Sequence, residues 1–210
     1  MSEVKKTTRD PESTRDKILD AALNIFAAKG YYDTRMDEIV DESGSSKGSI
    51  YFHFPNKERL FLALVDQFAN LLERRVIESI DQNEEGIGRV RAALEAIVAT
   101  FGRYRRPAKL MLIQAAGLGA PFEQKRQEIN DRFARLIGGY LRDAIRVGDI
   151  APVDVEVVSY AWMGAIYAVI IRWVYTGEPE PQRIVDALLP VLLKSVGHED
   201  RNEPAVADLC

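Results

Sequence analysis

The sequence predicts an all-α protein of about nine helices, and three observations predict it. Apolar residues recur at spacings of three and four through most of the chain. Gly and Pro part these runs at helix-length intervals, and no stretch alternates apolar and polar residues as a half-buried strand would.

Residues 1–13 are polar, contain Pro11 and have no periodic face, so they read as a mobile arm. From Thr14 the pattern changes. Ile18, Ala22, Ile25 and Phe26 line one face of a first helix over 14–29, which Gly30 stops. Thr34 is the expected N-cap of a short second helix that carries Met36, Ile39 and Val40 before Gly44 breaks it. Ser45 or Ser46 then caps a third helix, which turns Ile50 and Phe54 inward and ends at Pro55. Asn56 caps a long fourth helix from Lys57. The remaining helices fall in blocks over 87–104, 107–117, 121–147, 153–176 and 181–196, with Pro107, Pro121 and Pro181 where a first turn tolerates proline. Residues 198–210 form a flexible tail.

Length and apolar content allow one large or two modest domains. Three functional segments are expected: the arm at 1–13, a helix-turn-helix domain at 14–56, and a larger helical domain at 57–197. The sole cysteine is Cys210, so no internal disulfide forms and no thiolate cluster holds a metal. The histidines are His53 and His198, too few for the usual metal sites and general bases. Neither a cofactor nor a metal is expected. No P-loop, GxGxxG, HExxH or GxSxG motif occurs, which argues against an enzyme. The N-terminus has no apolar run behind its basic pair, so a cytoplasmic protein is expected. The charge-free stretch 157–171 is shorter than the roughly 18 to 20 residues that span a bilayer. It reads as a helix buried on most sides, with no membrane partner.

Function is written most densely in DEIVDESGSSKGSIYFHFPN, residues 37–56: two short helices joined by a Gly-Ser turn, the arrangement that offers a second helix to the DNA major groove. From Ser43 to Lys57 there is no acidic residue. Lys47 and Lys57 supply charge, while Ser46, Ser49, Tyr51 and His53 supply hydrogen-bonding groups, a composition that suits a phosphate-lined groove. Gly48 lets the helix approach closely, and the amides near Ser46 and Lys47 aim a helix dipole at a phosphate. The formal charge of residues 1–57 is nevertheless slightly negative, with Asp37, Glu38, Asp41 and Glu42 on or near the second helix. A local basic edge and strongly salt-dependent binding are expected.

The stretch from Thr14 to Val65 resembles the N-terminal domain of the TetR family of transcriptional regulators. The resemblance rests on Gly44, Ser46, Gly48, Ser49, Ile50, Tyr51, Phe52, His53, Phe54, Pro55, Asn56, Lys57 and Glu58, in that order. Ser45, Val40 and Ser43 depart from the family's usual apolar or Ala residues. The resemblance implies that Tyr51 and Lys57 hold phosphates and that Thr34 and Arg35 touch the DNA backbone. It also implies that Ser46, Lys47, Gly48, Ser49, Phe52 and His53 meet the groove.

It further implies that the larger domain binds a ligand and forms a homodimer. Tyr160, Met163, Tyr167 and Val174, with Ile184, Leu188, Val191 and Leu192, are the expected dimer seam; the alternative is an ordinary monomer core. A dimer would place two recognition helices about one DNA turn apart and require a palindromic operator in double-stranded DNA. For a small-molecule effector, Phe101, Tyr104, Met111, Gln114, Phe133 and Tyr140 offer pocket walls, with Gly117, Gly119, Gly138 and Gly139 leaving room or kinks. Arg103, Arg105, Arg106 and Lys109 form an acid-free cationic cluster beside them. That cluster reads equally as a solvated helix end or as an anion site suited to the phosphates of a long-chain acyl-CoA. The alternatives are a regulator of drug efflux responding to apolar or cationic compounds, and a helical adaptor that binds no DNA.

Overall fold

The computed structural model describes residues 11–83, 86–110, 112 and 118–198, and no strand occurs among them. Nine helices follow in order: α1 (Pro11–Asp33), α2 (Met36–Ser43), α3 (Lys47–His53), α4 (Lys57–Asp81), α5 (Ile87–Arg103), α6 (Arg105–Lys109), α7 (Ala120–Val147), α8 (Val155–Thr176) and α9 (Pro181–Ser195).

Most boundaries fall near the expected punctuation. α1 begins at Pro11, three residues before Thr14, because proline is tolerated in a first helical turn. Gly30 does interrupt it: its φ of 82° leaves the helical region, and three further residues continue to Asp33. Thr34 is not the cap of α2. That position is Arg35, whose N–H donates to the Glu38 carboxylate at 3.0 Å. Ser46 caps α3, its Oγ accepting from the Ser49 amide, and Asn56 Oδ1 accepts from the Arg59 amide at the start of α4. α6 covers Arg105–Lys109, and residues 111 and 113–117 of the expected 107–117 block lie outside the described residues. The expected arm lies almost wholly outside the described residues, as do residues 199–210 of the tail.

The described residues fall into two compact units. One comprises those within Met1–Leu72 and Arg103–Gln127, and the other those within Glu73–Gly102 and Glu128–Cys210. In the first, Ile18, Leu19, Ala22 and Phe26 of α1 are buried with Ile39, Ile50 and Phe54, and with Leu60 and Phe61 of α4. Edge-to-face contacts join Phe26 to Phe61, Tyr31 to Phe61 and Phe61 to Phe122, with ring centroids 5.1 to 5.5 Å apart. Helix propensity would never hold the seven-residue α3 in place. Burial of Ile50 and Phe54 does, at about 1.5 to 3 kcal/mol for each side chain.

In the second unit, Trp162, Ile170, Trp173 and Val174 of α8 pack inward with Ile184, Val185, Leu188, Leu189 and Leu192 of α9. Trp162 Nε1 donates to Ser195 Oγ at 2.9 Å and ties the two helices. Gly138 opens no space. A Cβ there would lie 3.1 Å from Ser159 Oγ and 3.3 Å from Val155 Cγ1, so this glycine lets α7 and α8 close together.

Candidate functional site

α3 separates its side chains cleanly. Ile50 is fully buried, while Ser46, Lys47, Gly48, Tyr51 and Phe52 are exposed, and Ser49 and His53 are half-buried. Phe52 is 82% exposed. A large apolar side chain projecting from a seven-residue helix contributes little to folding and makes sense as a contact for another molecule. Gly48 has open space where a Cβ would stand. Nothing inside the protein repays the cost of glycine in a helix, roughly 0.5 to 1 kcal/mol.

The charges around α3 are already engaged. Lys47 Nζ lies 2.9 Å from Asp37 Oδ1. Its hydrogen bond holds the Asp37 carboxyl below the ordinary carboxylate range, and Asp37 in turn raises the Lys47 ammonium. Lys29 pairs with Glu38, whose carboxyl is lowered by that hydrogen bond first and by the Arg35 amide second. Lys29 and Lys47 thereby partly neutralise the acidic face of α2.

Two residues expected at the phosphates have other work. Thr34 is buried, and its hydroxyl donates to the Gly30 carbonyl at 2.6 Å, so its side chain ties the α1–α2 corner. Lys57 spends three donors on the carbonyls of Tyr31, Tyr32 and Thr34, at 2.7, 3.1 and 2.9 Å, and its ammonium lies 4.6 Å from the Tyr31 ring centroid. An ammonium has three hydrogens, and all three are committed. Lys57 therefore clamps the first turn of α4 to the segment entering α2. Arg35 is exposed beside this corner.

The expected pocket residues divide between the two units. Arg103, Tyr104, Arg105, Arg106 and Lys109 lie at the α5–α6 corner in the first unit, where Tyr104 breaks the helix and Arg106 Nη1 lies 3.4 Å from Asn24 Oδ1. Phe101 is buried in the second unit, and Met111 and Gln114 lie outside the described residues. Phe133 and Tyr140 do line a cavity, of about 270 Å³, inside the second unit. α4, α5, α7, α8 and α9 all contribute to it, and its walls include Val76, Ile80, Ala93, Ile97, Trp162 and Leu193. Sequence reasoning missed Arg89, which also lines it. The signal was available, because Arg89 falls on the same helical stripe as Val90, Ala93 and Ile97.

The expected seam divides as well. Val174, Ile184, Leu188 and Leu192 are buried within the protomer, so they belong to its own core and not to an outer face. Tyr160, Tyr167 and Val191 are exposed, and Met163 is half-buried. α8 is not buried on most sides, as its composition implied; its outer stripe carries Val157, Ala161, Gly164, Ala168 and Tyr175, all exposed. By length and composition alone α8 could cross a membrane, with 28% of its most apolar window buried.

A short helix with a buried heel and an exposed polar and aromatic face, set on a capped turn, defines a helix-turn-helix protein. The family profile described as bacterial regulatory proteins, tetR family, matches residues 18–64. Similarity extends further. The HTH-type transcriptional regulator SrpR of Pseudomonas putida is 26% identical over 152 residues, 72% of this chain and 70% of SrpR. A fatty acid metabolism regulator protein of Bacillus subtilis is 26% identical over 166 residues, 77% of this chain and 84% of that one. Among solved structures, the transcriptional regulator FadR of Bacillus subtilis in complex with stearoyl-CoA superposes with a TM-score of 0.75 at 21% identity. That match covers 88% of this chain and 98% of FadR. Residues 18–64 form a TetR-family DNA-binding domain, and the similarity to transcriptional regulators runs over about three quarters of the chain.

Proposed function

We propose that this regulator represses transcription by binding a palindromic operator as a homodimer, and that an acyl-CoA releases it. Residues 14–56 read the DNA, and 57–197 carry the effector site and the dimer seam. The observation that carries the DNA reading is the exposed face of α3. Tyr51 offers a phosphate contact, and Ser46, Lys47, Gly48, Ser49, Phe52 and His53 form the surface toward the groove, with Arg35 on the backbone.

The outer face of α8 supports the dimer. Val157, Ala161, Gly164 and Ala168 lie at steps of four, three and four, Tyr175 seven residues further on, with Tyr160 and Tyr167 at the edges, and α9 adds Val191. Small residues there allow a second α8 to approach closely, and no described residue lies within 4 Å of where a Cβ at Gly164 would stand. The seam is therefore the outer stripe of α8 and α9, and not the inward residues Val174, Ile184, Leu188 and Leu192.

For the effector, support comes from the apolar cavity and from similarity to regulators whose names specify fatty acid metabolism or stearoyl-CoA. Release follows from linkage. The ligand shifts the population only by binding better to a conformer whose paired α3 helices are misplaced, and coupling of about 1 to 3 kcal/mol is typical. α4 is the natural lever, because Lys57 clamps its first turn while Val76 and Ile80 line the cavity.

Native mass spectrometry of the protein as purified, followed by a gel shift on its own promoter DNA with palmitoyl-CoA added, tests this reading. A dimer that shifts DNA and releases it on adding the thioester is expected. A monomer would remove the seam and the palindrome together.

A further inference from the structure

The cavity of the second unit is apolar on nearly every side, yet a guanidinium stands in its wall. Arg89 Nε is shielded from solvent and has no hydrogen-bond partner among the described residues. Leaving a charged group's donor buried and unmatched costs more than a neutral one would. The other charges on the lining do not answer it. Arg146 Nη2 lies 3.0 Å from Asp143 Oδ1, so these two satisfy each other, and Asp149 is exposed at the rim. His198, half-buried, completes the polar lining.

Tyr140 stands beside Arg89. Burial chiefly, then Asp81, pushes its phenol above the ordinary range, while Arg89 acts the other way. The hydroxyl stays protonated at neutral pH and can donate. An unmatched guanidinium N–H and a phenol on the lining of one apolar chamber make a receptor for an oxygen anion attached to a hydrocarbon.

We infer that this cavity binds the aliphatic chain of an anionic amphiphile, with the anionic oxygens at Arg89 and Tyr140. This rests on the ligand-responsive reading above and moves the anion contact from the Arg103–Lys109 cluster to α5. The cavity, of about 270 Å³, has room for a length of alkyl chain, and a ten-carbon probe tests it. Asp143 would favour a cationic head were it not already paired with Arg146, so a cationic probe belongs in the test.

The full-length protein is titrated by calorimetry with decanoate, decanoyl-CoA, 1-decanol and decyltrimethylammonium, alongside its Arg89→Gln, Arg89→Lys and Ala93→Phe variants. Decanoate or decanoyl-CoA should bind at least tenfold more tightly than decanol, and which of them binds better distinguishes a free carboxylate from a thioester's phosphates. Arg89→Gln should erase that preference, Arg89→Lys should restore part of it, and Ala93→Phe, which fills the chamber, should abolish binding of every probe. The far-ultraviolet circular dichroism spectrum of each variant guards against simple misfolding. Equal binding of decanol and decanoate, a preference for the ammonium probe, or no binding at all would overturn the inference. A gel shift with the same preparations keeps the outcomes separate, because intact operator binding without any anion preference sinks the cavity assignment and leaves the regulator reading standing.

Discussion

α3 and α8 both carry a helical glycine with open space where a Cβ would be, Gly48 in the first turn of α3 and Gly164 in the middle of α8. Gly102 and Gly138 differ, because a Cβ at either would press on Trp173 or on Ser159. Inside a helix, glycine costs roughly 0.5 to 1 kcal/mol relative to alanine. At Gly102 and Gly138 the protein's own packing explains it. At Gly48 and Gly164 no described residue comes near enough to do so, and the proposed function supplies a reason for both: close approach of DNA to α3 and of a second α8 to the seam. Nothing in the structure explains Gly139 on α7, which is equally open. The lesson is that an unexplained helical glycine points outward only when an exposed aromatic or apolar stripe surrounds it, as Tyr51 and Phe52 do for one and Tyr160 and Tyr167 for the other.

The sharpest way to break this comparison is Gly164→Arg. The protomer should keep its helicity, since the added side chain meets no neighbour. Sedimentation velocity should report a monomer, and operator affinity should fall at least about a hundredfold as two half-sites are no longer bound together. A dimer that persists would separate Gly164 from the seam.

Next in size is Lys57→Met. With three carbonyls losing a charged donor, the variant should be less stable by about 2 kcal/mol in urea unfolding. Its DNA affinity, measured where it is still folded, should change far less than a phosphate ligand's would. A weakened affinity with unchanged stability would return Lys57 to the DNA.

Phe52→Ala should weaken operator binding by about tenfold while leaving stability within about 0.5 kcal/mol, as surface changes do. Gly48→Ala sharpens the same point with opposite signs. Stability should rise by up to about 1 kcal/mol while the gel-shift dissociation constant increases. A rise in both stability and affinity would mean that α3 does not approach DNA closely at that position.

The smallest effect belongs to Asp37→Asn. Freed from its partner, Lys47 should bind phosphate more readily, so affinity rises and the salt dependence steepens by about one phosphate contact. The sign with pH follows from the lowered Asp37 carboxyl. The pair's contribution is present above the ordinary Asp value and is lost only as pH falls through the lowered one. Between about pH 6 and 8 the wild-type pair should therefore not titrate, and a Lys47-dependent change in DNA binding over that range would contradict it.

Much of this was legible in the sequence, for reasons that can be traced. The order and type of the nine helices came from periodicity. Ser46 and Asn56 came from capping chemistry that acts within three residues, and the buried pair Ile50 and Phe54 came from a four-residue spacing on a helix otherwise polar. Thr34 misled because its neighbour Arg35 has the extended backbone of a cap and Glu38 supplies the acceptor, leaving the threonine hydroxyl to find Gly30.

α8 shows where such reasoning stops. It is apolar on both faces, so spacing alone could not say which stripe meets α9 and which faces outward, and Val174 was placed on the wrong side. Lys57 and Arg89 lie beyond sequence for a related reason. A lysine's three acceptors come from residues 23 to 26 positions away, and an arginine's burial depends on five helices closing around it. The helix pattern, the caps at Ser46 and Asn56 and the recognition motif could be read from the sequence, because those depend on neighbours within a turn or two. Only the tertiary structure decided which apolar stripe is core, which cation is a clamp and which stands in a cavity wall, because burial is a property of the packed elements together.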